Sequence, residues 1–570
     1  MKRLFTILTL TMLAPLTVLS QPHEAEYAPP VDIPIRLAAN FGELRPSHFH
    51  SGIDIKTDGI CGKSIFAVAD GYISRISISP GGYGHALYVA HPALGTTSVY
   101  AHMDEFAPEI EHYTIEEQYR KRSFAVELFP PSNKFKVKKG DLIGFSGNTG
   151  SSAGPHLHFE IRDSRSSSPV NIIKRGHYKI KDDIPPSIVS LSLYGVDTLQ
   201  GIPVHRQTAR YPVYYDGNVH FLEHDTIDIS RAGYFVVETR EHKSDVSNIF
   251  GLYRLCVTLD GKQIFGYRAD RFSFNETRYV NALIAFDAKG RSRNDFIRTY
   301  ISPNNRLSIY DRGIGRGIIH PDSLAGVSEV EVTVCDDVDN TSQLRFHIRR
   351  HADTLHVEST SEPATPIHWR YGGIYSDSVV RLAIPPAALY ESLLMTTDHA
   401  APMPGLCSKM VTIGDNNTYL HKKALLSFNC SHLTPEERKH AMIVRIDNGE
   451  ISCEGGHMDK ERIETHITRL GTFAVATDNE APKIVPRLKD GAFAKDRISY
   501  RITDNLSGIR WYQLSIDDKW VLLEADPKSS TYFCRLEHAP VTRTGGSHKA
   551  VLRVIDGAGN VSTSDNIFRW

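Results

Sequence analysis

Long hydrophobic runs are almost missing from this 570-residue sequence. The one near-continuous apolar stretch is Leu4–Leu19, which follows Lys2 and Arg3, is broken by Pro15, and runs out into small residues at Val18 and Ser20. That is the layout of a cleavable secretory signal over residues 1–20, and it is short for a membrane span. No cysteine stands near the cleavage point, which argues against a lipid anchor. The mature chain is therefore expected to be soluble and exported. An excess of either charge is lacking too. Lys plus Arg number 65 and Asp plus Glu 66; loss of Lys2 and Arg3 leaves 63 against 66 and moves the formal charge from −1 to −3. Near-neutrality gives no support for nucleic acid or anionic lipid as the main partner. Cysteine is sparse: Cys61, Cys256, Cys335, Cys407, Cys430, Cys453 and Cys534 have no C-x-x-C spacing. An odd, scattered set is not a disulfide framework. Most are expected to be small buried hydrophobes, with a bridge among Cys407, Cys430 and Cys453 left open.

What is present is β-pattern, and a chain of this length implies about three to five domains. Ser146–Arg162 reads S-G-N-T-G-S-S-A-G-P-H-L-H-F-E-I-R: a Gly- and Ser-rich loop, then strict alternation from His156. Alternation of period two predicts a strand with His156, His158 and Glu160 on one face and Leu157, Phe159 and Ile161 in a core. His50-Ser51-Gly52-Ile53-Asp54 follows the same logic, so His50, Gly52 and Asp54 are expected to share a face. Two imidazoles and one carboxylate with a fourth position open are the donor set of a catalytic zinc site. At a third strand end, Tyr100 and His102 are also expected to share a face, putting a further imidazole within reach for proton transfer or oxyanion stabilisation. Glu160 is a candidate second-layer orienter, weighed against a simple surface salt bridge. His48 is expected at a cleft edge, His85 and His91 in structural roles.

Together, His50-x-x-x-Asp54, Tyr100-x-His102, the G-D-L-I-G-x-S-G-N-T-G run from Gly140 and His156-x-His158 resemble the lysostaphin-type (LytM-like) zinc metallopeptidases. The resemblance covers roughly residues 40 to 172. It implies an antiparallel β peptidase domain that hydrolyses peptide cross-links of bacterial peptidoglycan. It also implies His50, Asp54 and His158 as ligands of one zinc ion, with His102 and His156 as the catalytic histidines. There is no H-E-x-x-H helix, so the base need not be a glutamate. An insertion at about Glu105–Phe135, helical over Glu109–Arg122, is expected to wall or cover the cleft.

Beyond the site the chain repeats itself. Asp182-x-x-x-Pro186-x-Ile188 recurs as Asp478-x-x-x-Pro482-x-Ile484, and Asp336-x-x-x-Asn340-x-Ser342 as Asp556-x-x-x-Asn560-x-Ser562. With Asp504-x-x-Ser507-Gly508, the second copy resembles bacterial immunoglobulin-like sandwiches. The expected organisation is mostly β: a signal peptide at 1–20, a LytM-like zinc peptidase domain at 28–180, an insertion-bearing Ig-like sandwich at 183–350, a β-rich sandwich at 360–477 and a C-terminal Ig-like domain at 478–570. The acidic turns at Asp336, Asp337, Asp339 and Asn340 and at Asp556 and Asn560 could take calcium, but hydrogen-bonded Asx turns are favoured. Three functions compete. The first is an exported zinc endopeptidase of peptidoglycan peptide stems, in the periplasm or cell envelope. The second is a non-catalytic LytM-like regulator of another wall hydrolase. The third is a surface binding protein made of sandwiches, whose modules contact envelope proteins or wall components. A regulator predicts gaps in the histidine set, and there are none; a binding protein leaves the ordered histidines unexplained. The endopeptidase is the expectation.

Overall fold

The computed structural model describes residues 27–311, 314–351 and 364–570, so the expected signal at 1–20 lies outside the described residues. The described chain is mostly antiparallel β, gathered around four main cores. The first body is a ten-stranded sheet in which strands Ile53–Lys56, His156–Asp163 and Thr96–Phe106 lie side by side in that order. Adjacency follows from the alternation: Ile53, Ile55, Tyr100, Leu157, Phe159 and Ile161 all bury into one core, leaving the opposite face for polar groups. Register places His158 opposite Asp54 on one neighbour and Ala101 on the other.

The second body is an eleven-stranded sheet running from Ser187 to Arg350. Its core also takes Phe41 and Phe49, each with its ring 5.0 Å from that of Phe272. The hairpin Leu44–Arg45/His48–Phe49 is therefore anchored outside its own sheet, with Ser47 and Phe49 N–H groups donating to Asn281 and Thr277. The third body closes two five-stranded sheets over Val411, Leu426 and Phe473. The fourth closes two four-stranded sheets over Tyr500, Leu514, Leu552 and Phe568.

The fourth body returns to the first. Leu522 is part of the first body's core, its N–H donates to Tyr119 Oη at 3.3 Å, and Trp520 meets the Tyr119 ring edge-on at 5.3 Å. Arg535 pairs with Glu105, and Lys528 donates to the Asn148 carbonyl. This corrects the expected role of the insertion. It forms a helix, Pro108–Lys121, with proline in its first turn, Glu109 and Glu111 near the positive N-terminal end and Arg122 in the left-handed region as C-cap. That helix does not line the cleft. Ile110 packs into the first core and Tyr119 seats the fourth body. The seven cysteines are all free, so the bridge left open among Cys407, Cys430 and Cys453 is not formed; Cys61 is exposed.

Candidate metal centre

Three segments deliver the expected residues, and two do so by routes that alternation alone misses. His156 and His158 leave their strand on the polar face as expected. His50 does not lie on a strand with Asp54, because the strand begins at Ile53 and residues 50–52 lead into it irregularly, with a bend at Gly52. Gly52 is required there: a Cβ would lie 2.3 Å from the Phe159 carbonyl oxygen. Tyr100 and His102 do not share a face either. Tyr100 is wholly buried, its hydroxyl accepting the Val68 N–H, while His102 sits at φ +60° beside an irregularity in pairing between the two strands. That left-handed residue breaks the alternation and turns the imidazole out to the cleft.

The result is a tight convergence. His50 Nε2 is 3.0 Å from Asp54 Oδ1 and 3.0 Å from His158 Nδ1, and His158 Nδ1 is 2.8 Å from Asp54 Oδ1. Each ring's other nitrogen is committed. His50 Nδ1 donates to the Asn40 carbonyl at 2.7 Å, and His158 Nε2 donates to Glu160 Oε1 at 2.8 Å. Two lone pairs and a carboxylate oxygen thus face one point, an arrangement of acceptors that only a cation or shared protons can stabilise. The donor types fit zinc.

His102 and His156 flank this point with ring centroids 4.8 Å apart. His102 Nδ1 donates to the Thr149 carbonyl at 2.9 Å and His156 Nδ1 to that of Gly154 at 2.8 Å. His156 Nε2 is buried, accepts no hydrogen bond and lies 3.5 Å from Asp54 Oδ1. Burial, reinforced by the neighbouring imidazoles, holds His102 neutral with a pKa of about 3. Burial alone would raise the Asp54 carboxyl, but the imidazoles of His50, His156 and His158 gathered around it hold it well below its ordinary value.

Glu160 is 1% exposed, so the surface-salt-bridge reading fails. Its Oε1 accepts from His158, Ser51 and Tyr83, and its Oε2 from Arg162. Sequence reading passed over Ser51, Tyr83, Asn40 and Arg162. Arg162 alone carried a signal, being the next residue on the face of His156, His158 and Glu160. The centre opens into a cleft of about 1120 Å³, walled in part by Arg36, Arg45, His48, Lys56 and Tyr83. His48 lies at its edge; His85 and His91 are tied by Asp104 O and Ser98 elsewhere.

A peptidase family M23 profile matches residues 126–172, which end just past the strand bearing His156 and His158. The DD-carboxypeptidase/endopeptidase Mpg of Neisseria meningitidis is 31% identical over 143 residues, 24% of this chain and 27% of that protein. The first body is a peptidase family M23 domain. An uncharacterized metalloprotease of Haemophilus influenzae is 29% identical over 132 residues, 23% of this chain and 22% of that protein. The chain thus matches about a quarter of the length of these relatives. Among solved structures, a zinc-containing peptidase from Vibrio cholerae is 25% identical, covering 25% of this chain and 37% of its own, at a TM-score of 0.19. The catalytic domain of lysostaphin from Staphylococcus simulans is 21% identical, covering 24% and 90%, at 0.19. A Zu5-like domain profile matches residues 364–478, the third body.

Proposed function

We propose that this protein is an exported zinc endopeptidase that hydrolyses peptide cross-links of bacterial peptidoglycan. The observation that carries the reading is the convergence of His50, Asp54 and His158 on one point inside the M23 domain, flanked by two further histidines. His50 Nε2, Asp54 Oδ1 and His158 Nδ1 would hold one zinc ion. When bound, zinc supplies Lewis acidity toward water and toward a peptide carbonyl. The chain's own residues do the rest. Glu160 and the Asn40 carbonyl fix the two imidazole tautomers so that each offers a lone pair. His156 Nε2 accepts the proton of the attacking water, since it is unpartnered and lies 3.5 Å from Asp54 Oδ1, beside the converging atoms. His102, its Nδ1 tied to Thr149, steadies the oxyanion or relays a proton to the leaving amine, and the two roles can be exchanged. The cleft rim mixes charges, with Arg36 paired to Asp58 and Arg45 to Glu43, and Lys56 adds a further cation. A regulator without activity would need gaps in this set, and all five positions are filled.

The same reading divides the chain into the peptidase at 28–180, Ig-like or β-rich sandwiches at 183–350, 360–477 and 478–570, and a signal at 1–20. The sandwiches would present the M23 domain and contact envelope components.

The test uses the full chain, since Phe41 and Phe49 are built into the second body. Purified peptidoglycan is digested with and without chelator, and muropeptides are read by mass spectrometry. Loss of cross-linked dimers with new free amines, abolished by chelation and restored by zinc, is expected. Unchanged muropeptides from zinc-loaded protein would overturn the reading.

A further inference from the structure

Of the five residues at the centre, only His102 has a left-handed backbone, at φ +60°. A non-glycine residue persists there only where its surroundings over-determine it. Two segments meet at this point. The end of the strand Thr96–Phe106 carries the ring, and its N–H donates to the Tyr83 carbonyl at 2.9 Å. The loop Gly147–Gly150 takes the ring's proton, since the Thr149 carbonyl accepts from His102 Nδ1 at 2.9 Å. That bond fixes the tautomer and leaves Nε2 with its lone pair free. Loop and strand are pressed together along their backbones. Thr149 Oγ1 donates to the Met103 carbonyl at 2.8 Å and accepts the His85 N–H at 2.9 Å. A Cβ on Gly147 would lie 2.5 Å from the Asp104 nitrogen.

The fourth body grips both segments from outside. Lys528 donates to the carbonyl of Asn148, the residue before Thr149, and Arg535 pairs with Glu105, just beyond His102. One hairpin carries both cations. Its strands Glu524–Asp526 and Thr531–Arg535 are antiparallel, with Ala525 opposite Tyr532. Lys528 stands in the turn, which is closed by the Ser530 N–H on the Pro527 carbonyl at 3.2 Å and by Ser529 Oγ on Asp526 at 2.7 Å. Arg535 ends the second strand and is steadied by Glu524 at 3.2 Å. Leu522, just ahead of the hairpin, is sunk in the first body's core. The two cations therefore move together with the docked body. Every residue lining the cleft lies between Arg36 and His158, so the hairpin touches the loop and not the substrate.

We propose that Lys528 is a positioning residue for His102: the hairpin of the fourth body clamps the loop Gly147–Gly150 against the strand end, and so holds the imidazole in the direction that turnover needs. The effect on turnover rests on the peptidase reading; the clamp itself does not. Without Lys528 the Asn148 carbonyl turns to solvent, and the Thr149 carbonyl beside it loses its fixed place under His102 Nδ1. A catalytic group displaced by about 1 Å loses up to about 100-fold in rate, so a small shift of this loop is felt in the chemistry.

The test compares full-length, zinc-loaded wild type, Lys528→Ala and Lys528→Arg. Hydrogen–deuterium exchange, read by mass spectrometry, should be faster in Lys528→Ala over a peptide spanning 147–151, with Lys528→Arg close to wild type. On a soluble cross-linked muropeptide, Lys528→Ala should lose about tenfold in kcat, with KM, zinc content and melting temperature unchanged. Lys528→Arg, which keeps a cationic donor, should recover most of that loss. Unchanged exchange over 147–151 in Lys528→Ala overturns the clamp, whatever the activity. Faster exchange with unchanged kcat, or a change in KM alone, overturns the positioning of His102. Wild-type protein that cleaves no cross-link overturns the peptidase reading instead, and the exchange result still decides the clamp.

Discussion

At the scale of single residues, the centre depends on which nitrogen of each imidazole carries its proton. Glu160 sets this for His158 and is itself held by Ser51, Tyr83 and Arg162. Glu160→Gln keeps the shape but removes the charge, so zinc affinity should fall about 10–100-fold, read by competition with a chromogenic chelator. His102 touches none of the three converging atoms. His102→Ala should keep zinc and lose turnover by about 100-fold or more, measured on the same protein by metal analysis and muropeptide release.

At the scale of elements, close approach decides more than propensity. Gly52 lets the lead-in to Ile53–Lys56 lie against the backbone of Phe159. Gly52→Ala forces the strands apart, and a loss of about 1–3 kcal/mol in denaturant unfolding is expected, with weakened zinc binding. The polar face of His156–Asp163 was legible in the sequence because alternation runs unbroken there. The face of His102 was not, since a single left-handed residue reverses it. The placement of His50 before its strand was equally hidden, because hydrogen bonding to Asn40 and the closeness permitted by Gly52 are long-range facts. The insertion's helix was legible from its pattern, but its task was not: its partner, Leu522, lies some four hundred residues away.

At the scale of the whole molecule, the M23 domain is held on two sides, by Phe41 and Phe49 in the second body's core and by Leu522 in its own. Leu522→Ala should cost about 2–5 kcal/mol and expose the Tyr119 surface to proteolysis. The same contact carries a pH dependence. Burial raises the Glu524 carboxyl from an ordinary 4.5 to about 7, against the pull of Arg535, which also serves Glu105. Below about 4.5 the group is protonated docked or free, and its contribution is complete. As pH climbs toward 7 the free form ionises first, so docking should weaken by about 1–3 kcal/mol. Glu524→Gln should flatten that slope in melting curves. Whether five side chains from separate segments act around one ion is read by counting zinc and hydrolysis in the same full-length samples. Wild-type protein should hold one zinc per chain in the M23 domain and cleave cross-links, while His158→Ala should lose both. A His158→Ala protein that keeps its zinc and still cleaves would contradict that joint action.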